Sequence, residues 1–134
     1  MSSKELRIGI IGAVHDHFWP VWGKGTFQEV REQPGVTLVA ATETHPELQA
    51  KLRANLGIEQ IYSDYNEILG KEKLDGVLIA LPSNAKLEPI RAAAQRGVHI
   101  MVDKPLCTTL DEAYEIRKIV SGTDVQLGTV IKTH

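Results

Sequence analysis

Residues 98–106 read VHIMVDKPL. The first five, Val98 to Val102, form an apolar run with branched side chains, which predicts a buried strand. Asp103, Lys104 and Pro105 follow at once, so two opposite charges and a proline stand at the carboxyl end of that strand. Open α/β sheets bind their ligands at this end of their strands. The stretch therefore predicts an α/β sheet in which Lys104 is placed for chemistry rather than for packing.

Short apolar runs of the same kind recur along the chain. They predict five further strands, at residues 6–11, 36–42, 59–62, 76–81 and 125–131. Little in–out alternation is visible within them, as is typical of parallel strands that are covered on both faces. Helical patterns separate the runs, and crossovers between parallel strands are right-handed. We therefore expect an α/β fold, a doubly wound and mainly parallel sheet of about six strands in the order 3-2-1-4-5-6.

The first three helices differ in how clearly the sequence marks them. Prolines and glycines interrupt residues 15–33, so regular helix is expected there only from about Thr26. A second helix begins at Pro46 and is stopped by Gly57. A third is predicted over residues 64–69, with Ser63 as its cap.

Two more helices are predicted in the second half of the chain. One covers residues 85–96 and is expected to begin late, because Pro89 is tolerated only near a first turn. The other begins with a capping box formed by Thr109 and Glu112. Its predicted apolar face consists of Leu110, Ala113, Ile116 and Val120.

Composition bounds the function. The chain has 134 residues, enough for one domain, and a net charge of −2, so neither nucleic acid nor an anionic membrane is an expected partner. Cys107 is its only cysteine, which points to a reducing compartment. The sequence shows no apolar stretch of the roughly 20 residues that a membrane helix needs. We expect a cytoplasmic protein.

The turn after the first strand is a candidate phosphate-binding loop. Gly12 ends the strand and AVHDH follows, so the amides of Ala13, Val14, His15 and His17 are candidates to face a pyrophosphate. Only the first glycine of a G-x-G-x-x-G pattern is present, because Val14 and His17 occupy the other two positions. A tight turn without a ligand is the alternative. A metal site is not expected, since two histidines at i, i+2 lack further Cys or His partners.

The second strand ends in a carboxylate, Glu43, which lies 31 residues after Gly12. A dinucleotide-binding sheet places there the acceptor for the adenosine ribose hydroxyls. A negative charge at this position repels a 2′-phosphate, so NAD is expected as the cofactor and NADP is disfavoured. An ordinary surface glutamate is the alternative. After the fourth strand, Leu81, Pro82 and Asn84 place further groups beside the expected site.

Taken together, Gly12, Glu43, the run from Leu81 to Asn84 and the run from Asp103 to Leu106 resemble the N-terminal half of the Gfo/Idh/MocA family. These are NAD(P)-dependent oxidoreductases of sugars, cyclitols and related hydroxy compounds, and their N-terminal half is a Rossmann domain. The resemblance implies that Lys104 lies near the nicotinamide and acts on the reacting hydroxyl. It also implies cofactor contacts for the loop, for Glu43, for the turn after the fourth strand and for Asp103.

The sequence departs from the family at Val14 and His17, and at Lys86, where the family often has a histidine. Family members continue in a second domain that contributes most of the substrate pocket. Residues 1–134 are therefore expected to be a dinucleotide-binding domain without that substrate domain. Such a half would meet its small-molecule substrate only with a second domain, would be inactive alone, and could form a homo-oligomer. The alternative is a non-catalytic nucleotide-binding or interaction module with a degenerate glycine loop.

Overall fold

The computed structural model describes residues 5–13, 19, 25–103 and 106–130. Within these ranges the chain forms a six-stranded sheet in the order β3-β2-β1-β4-β5-β6, with every neighbouring pair parallel. The predicted α/β fold and strand order are confirmed. The strands are β1 Leu6–Ile11, β2 Val36–Thr42, β3 Ile61–Tyr62, β4 Gly76–Ile79, β5 His99–Asp103 and β6 Leu127–Val130.

Two hydrophobic clusters lie on the two faces of the sheet, and five helices contribute to them. The helices are α1 Thr26–Arg31, α2 Pro46–Leu56, α3 Tyr65–Lys71, α4 Leu87–Gln95 and α5 Leu110–Ser121. One cluster joins Phe27 of α1 and Leu52 of α2 to strand residues such as Ile10. The other contains Ile90 of α4 and Ile116 of α5. The strand order reverses between β1 and β4, and the carboxyl ends on either side of this point form the crevice where such sheets bind ligands.

Most helix limits agree with the sequence, but the predicted cap of α3 is wrong. Asp64, not Ser63, is the N-cap, and its carboxylate accepts a hydrogen bond from the Asn66 amide at 2.6 Å. The Ser63 hydroxyl instead donates to Glu67 at 2.9 Å. A carboxylate at this position also interacts favourably with the partial positive charge of the helix end.

The helix α4 begins at Leu87, after a short 3-10 turn over Ser83–Ala85, which agrees with the late start expected from Pro89. The strand β5 lies one residue later than predicted. The Val98 amide still donates to the Ala93 carbonyl at the end of α4, so Val98 belongs to the turn and Asp103 becomes the last strand residue.

Two apolar residues that the sequence predicted to be buried are exposed to solvent. Leu110, predicted on the apolar face of α5, is the first residue of that helix and is 68% exposed, so the apolar face begins after it. Met101 on β5 is 41% exposed, so this strand is not covered on both faces. Among the residues that the structure describes, no helix is long and apolar enough to cross a membrane.

Candidate functional site

The turn after β1 requires glycine at residue 12. Gly12 has a φ of +80°, and a Cβ placed there would lie 2.4 Å from Leu81 Cδ2 and 2.8 Å from the Ala80 carbonyl oxygen. Both the backbone conformation and the space therefore exclude a larger residue. The Gly12 amide donates to the carbonyl and hydroxyl oxygens of Thr42, each at 3.2 Å, which ties the end of β1 to the end of β2.

Glu43, directly after β2, is buried at 6% exposure, so the alternative of an ordinary surface glutamate is wrong. Its Oε1 accepts a hydrogen bond from the Ala13 amide at 2.9 Å. Its Oε2 accepts from the amides of Thr44 and His45, at 3.0 and 3.1 Å. The carboxylate therefore joins the turn after β1 to the start of α2. The Ala13 amide donates its hydrogen bond to a side chain of the protein itself.

A tryptophan completes the anchoring of this turn. The Trp19 indole N–H donates to the Ala13 carbonyl at 2.8 Å, and its ring meets Phe27 edge-on at 5.1 Å. The Lys51 ammonium lies 4.5 Å from the centre of the same ring. Ala13 thus has both its backbone groups bonded and is fully buried.

The structure brings several predicted site residues to one cavity at the topological switch point, where the strand order reverses between β1 and β4. A cavity of about 470 Å³ lies at this edge of the sheet. Its lining includes four predicted site residues, Gly12, Glu43, Leu81 and Pro82, and adds Thr42, Thr44, His45, Asp64 and Tyr65. Asn84 does not line it; it is exposed in the 3-10 turn before α4. Val14, His15, His17 and Lys104 lie outside the described residues.

A buried ion pair lies at the carboxyl end of β5. The Lys86 ammonium is 3.0 Å from Asp103 Oδ1 and donates to the Asp103 carbonyl at 2.6 Å, and both side chains are almost fully buried. The sequence pattern predicted a site role for Asp103, but it predicted no contact between Asp103 and Lys86. A signal was present, because a lysine just before a helix meets the positive end of the helix dipole and needs a compensating anion.

The fold agrees with the comparison with known proteins. A model of an oxidoreductase family with an NAD-binding Rossmann fold, named for Gfo, Idh and MocA, matches residues 6–130. The chain belongs to the Gfo/Idh/MocA family. It carries the NAD-binding Rossmann domain of these oxidoreductases, as the sequence resemblance predicted.

Relatives in this family include dehydrogenases of sugars and cyclitols. The chain is 39% identical over 74 residues to D-xylose 1-dehydrogenase (NADP(+)) 2 of Haloferax volcanii, a match that covers 54% of this chain and 23% of that protein. It is 32% identical over 111 residues to inositol 2-dehydrogenase 4 of Saccharopolyspora erythraea, covering 79% of this chain and 30% of that one.

A solved family structure shows the same fold. Scyllo-inositol dehydrogenase from Lactobacillus casei, in its crystal structure with bound NAD(H) and scyllo-inositol, superposes with a TM-score of 0.79 at 21% identity. The match covers 94% of this chain and 36% of that one. The chain thus spans about a quarter to a third of the length of these relatives.

Proposed function

We propose that this chain binds NAD(H) in the cavity between the ends of β1, β2 and β4. In a longer family protein, it would serve hydride transfer between the nicotinamide and the carbinol carbon of a sugar, cyclitol or related hydroxy compound. The observation that carries the proposal is the meeting of Gly12, Glu43 and Leu81 at the topological switch point. The cofactor supplies the redox chemistry, and the protein supplies binding and orientation.

NAD(H) is the proposed cofactor in preference to NADP(H). The negative charge of Glu43 lies in the lining of the cavity, where it would repel a 2′-phosphate on the adenosine ribose. An adjacent cation would weaken this repulsion. Of the residues that the structure describes in the cavity lining, none is a lysine or an arginine.

Lys104 is the proposed catalytic residue. An ammonium beside the reacting hydroxyl stabilises a developing alkoxide or lends a proton. Support comes from the residue before it, Asp103, which lies at the carboxyl end of β5. Asp103 already has a buried counter-ion, because the Lys86 ammonium lies 3.0 Å from its carboxylate. The neutralisation of Asp103 therefore does not depend on Lys104.

Calorimetric titration of the chain with NADH and with NADPH tests the cofactor proposal. We expect binding of both, with NADH the tighter. Equal affinities would remove the discriminating role from Glu43. Absence of binding to either cofactor would favour the alternative of an interaction module.

A further inference from the structure

We infer that Glu43 is a positioning residue for the cofactor loop: its carboxylate holds the turn after β1 in place through the Ala13 amide. The inference deepens the proposed function and rests on it where cofactor affinity is concerned. It separates two properties of one side chain. The reach of Glu43 would determine the affinity for both cofactors, and its charge would determine the choice between them.

The hydrogen bonds of the carboxylate leave little room for a ligand. A carboxylate offers two oxygens with about four acceptor positions in all. Three backbone amides already occupy such positions: Ala13 on Oε1, and Thr44 and His45 on Oε2. A ribose that used both of its hydroxyls on this carboxylate would have to displace an amide.

The Ala13 amide has a particular need for this acceptor. Ala13 is 0% exposed, so water cannot replace the carboxylate if the bond is broken. A buried donor without a partner is costly, and hydrogen bonds to charged groups are the stronger ones. The Ala13 carbonyl accepts a hydrogen bond from the Trp19 indole, so both backbone groups of Ala13 are held by side chains, one 6 and one 30 residues away in the sequence.

Glu43 therefore links two segments that contribute to the cavity lining, the turn after β1 and the start of α2. One carboxylate oxygen holds Ala13 in the turn after β1, where the candidate phosphate loop begins, and the other holds the start of α2. A binding loop that is ordered in advance loses less conformational entropy when the ligand arrives. NAD and NADP share the same pyrophosphate, so this gain in affinity should be equal for the two cofactors.

The substitution Glu43→Asp separates reach from charge, because it keeps the carboxylate and shortens the side chain by one methylene. We expect the affinities for NADH and NADPH to fall by the same factor, about tenfold, the effect of losing one hydrogen bond to a charged acceptor. Amide hydrogen exchange at Ala13, measured by NMR without cofactor, should become faster. Glu47→Asp, the same change at an exposed residue of α2, is the matched control and should alter neither quantity.

Trp19→Phe provides a second variant, which removes the indole donor to the Ala13 carbonyl and keeps an aromatic ring. It too should weaken both cofactors by a common factor. A Glu43→Asp protein that loses affinity for NADH alone, with Ala13 exchange unchanged, would show that Glu43 only reads the ribose and would overturn the inference. The exchange measurement needs no cofactor, so it judges the hold on Ala13 even if the chain proves not to bind NADH.

Discussion

Two glycines at opposite ends of neighbouring strands show how space and backbone conformation act together: Gly12 follows the last residue of β1, and Gly35 precedes the first residue of β2. Gly12 and Gly35 both adopt positive φ, at +80° and +74°, but only Gly12 is crowded by Leu81. Gly35 has nothing within 4 Å of a Cβ placed on it. The two glycines therefore separate backbone strain from steric overlap.

We predict that Gly12→Ala destabilises the fold more than Gly35→Ala. The Gly35 variant should cost about 1–2 kcal/mol, the usual cost of a left-handed conformation for a residue with a Cβ. The Gly12 variant should exceed this value, because Leu81 and the Ala80 carbonyl must also move. Urea denaturation measures both. Equal losses would show that the turn adjusts without strain.

The Lys86–Asp103 pair gives a second prediction at this scale. Lys86→Met should lower the free energy of unfolding by about 3–5 kcal/mol, since it removes the ammonium 3.0 Å from the buried Asp103 carboxylate. The double substitution Lys86→Met, Asp103→Leu should recover most of that loss, because no charge remains to be buried. A double variant as unstable as the single one, in the same denaturation experiment, would contradict this account.

Among the elements, α5 has the most complete cap. The Thr109 hydroxyl accepts from the Glu112 amide at 3.1 Å, while Glu112 Oε1 accepts from the Thr108 and Thr109 amides at 3.0 and 3.2 Å. Hydrogen bonding by the Thr108 hydroxyl is the largest cause that lowers the pKa of Glu112 below its usual value. The bonds favour the ionised form, so the cap depends on pH.

We predict that the stability supplied by this cap is complete at neutral pH, above the pKa of an unfolded glutamate. It should be lost as the pH falls through the lowered pKa of folded Glu112. The stability difference between the wild type and Glu112→Gln should therefore shrink in acid. NMR titration of the Glu112 carboxyl carbon provides the second measurement: Thr108→Val should move its pKa back up. An unchanged pKa in that variant would remove Thr108 from the account.

At the scale of the whole molecule, the share of its relatives' length that the chain covers matters most. The chain spans 23% to 36% of the length of the relatives described above. The described residues form the cavity that we propose for the cofactor, and orienting a substrate would need further groups around the nicotinamide. Good orientation accounts for roughly 7–11 kcal/mol of a reaction barrier.

We predict that the 134-residue chain by itself shows no turnover of sugars or cyclitols when saturated with NAD. The measurement is NADH absorbance across a panel of polyols. When the chain is joined to a second domain of the family, turnover should appear, and Lys104→Ala should then lower kcat far more than it weakens NAD binding. Turnover by the short chain that depends on Lys104 would contradict the prediction.

The sequence by itself determined the order of the elements and much of their extent. Apolar runs, the Gly57 stop and the capping box at Thr109 act through neighbouring residues, so they can be read locally. The glycine at residue 12 could be recognised for the same reason, as could the family.

Only the tertiary structure decided what the polar side chains bond. Ala13 and Glu43 are 30 residues apart, and Lys86 and Asp103 are 17 apart, so no local pattern pairs them. The third helix shows the same limit at short range, since Ser63 and Asp64 are both good caps and the backbone geometry selected Asp64. Side-chain pairing depends on where strand ends meet in space, and that position is set by the packing of the whole sheet.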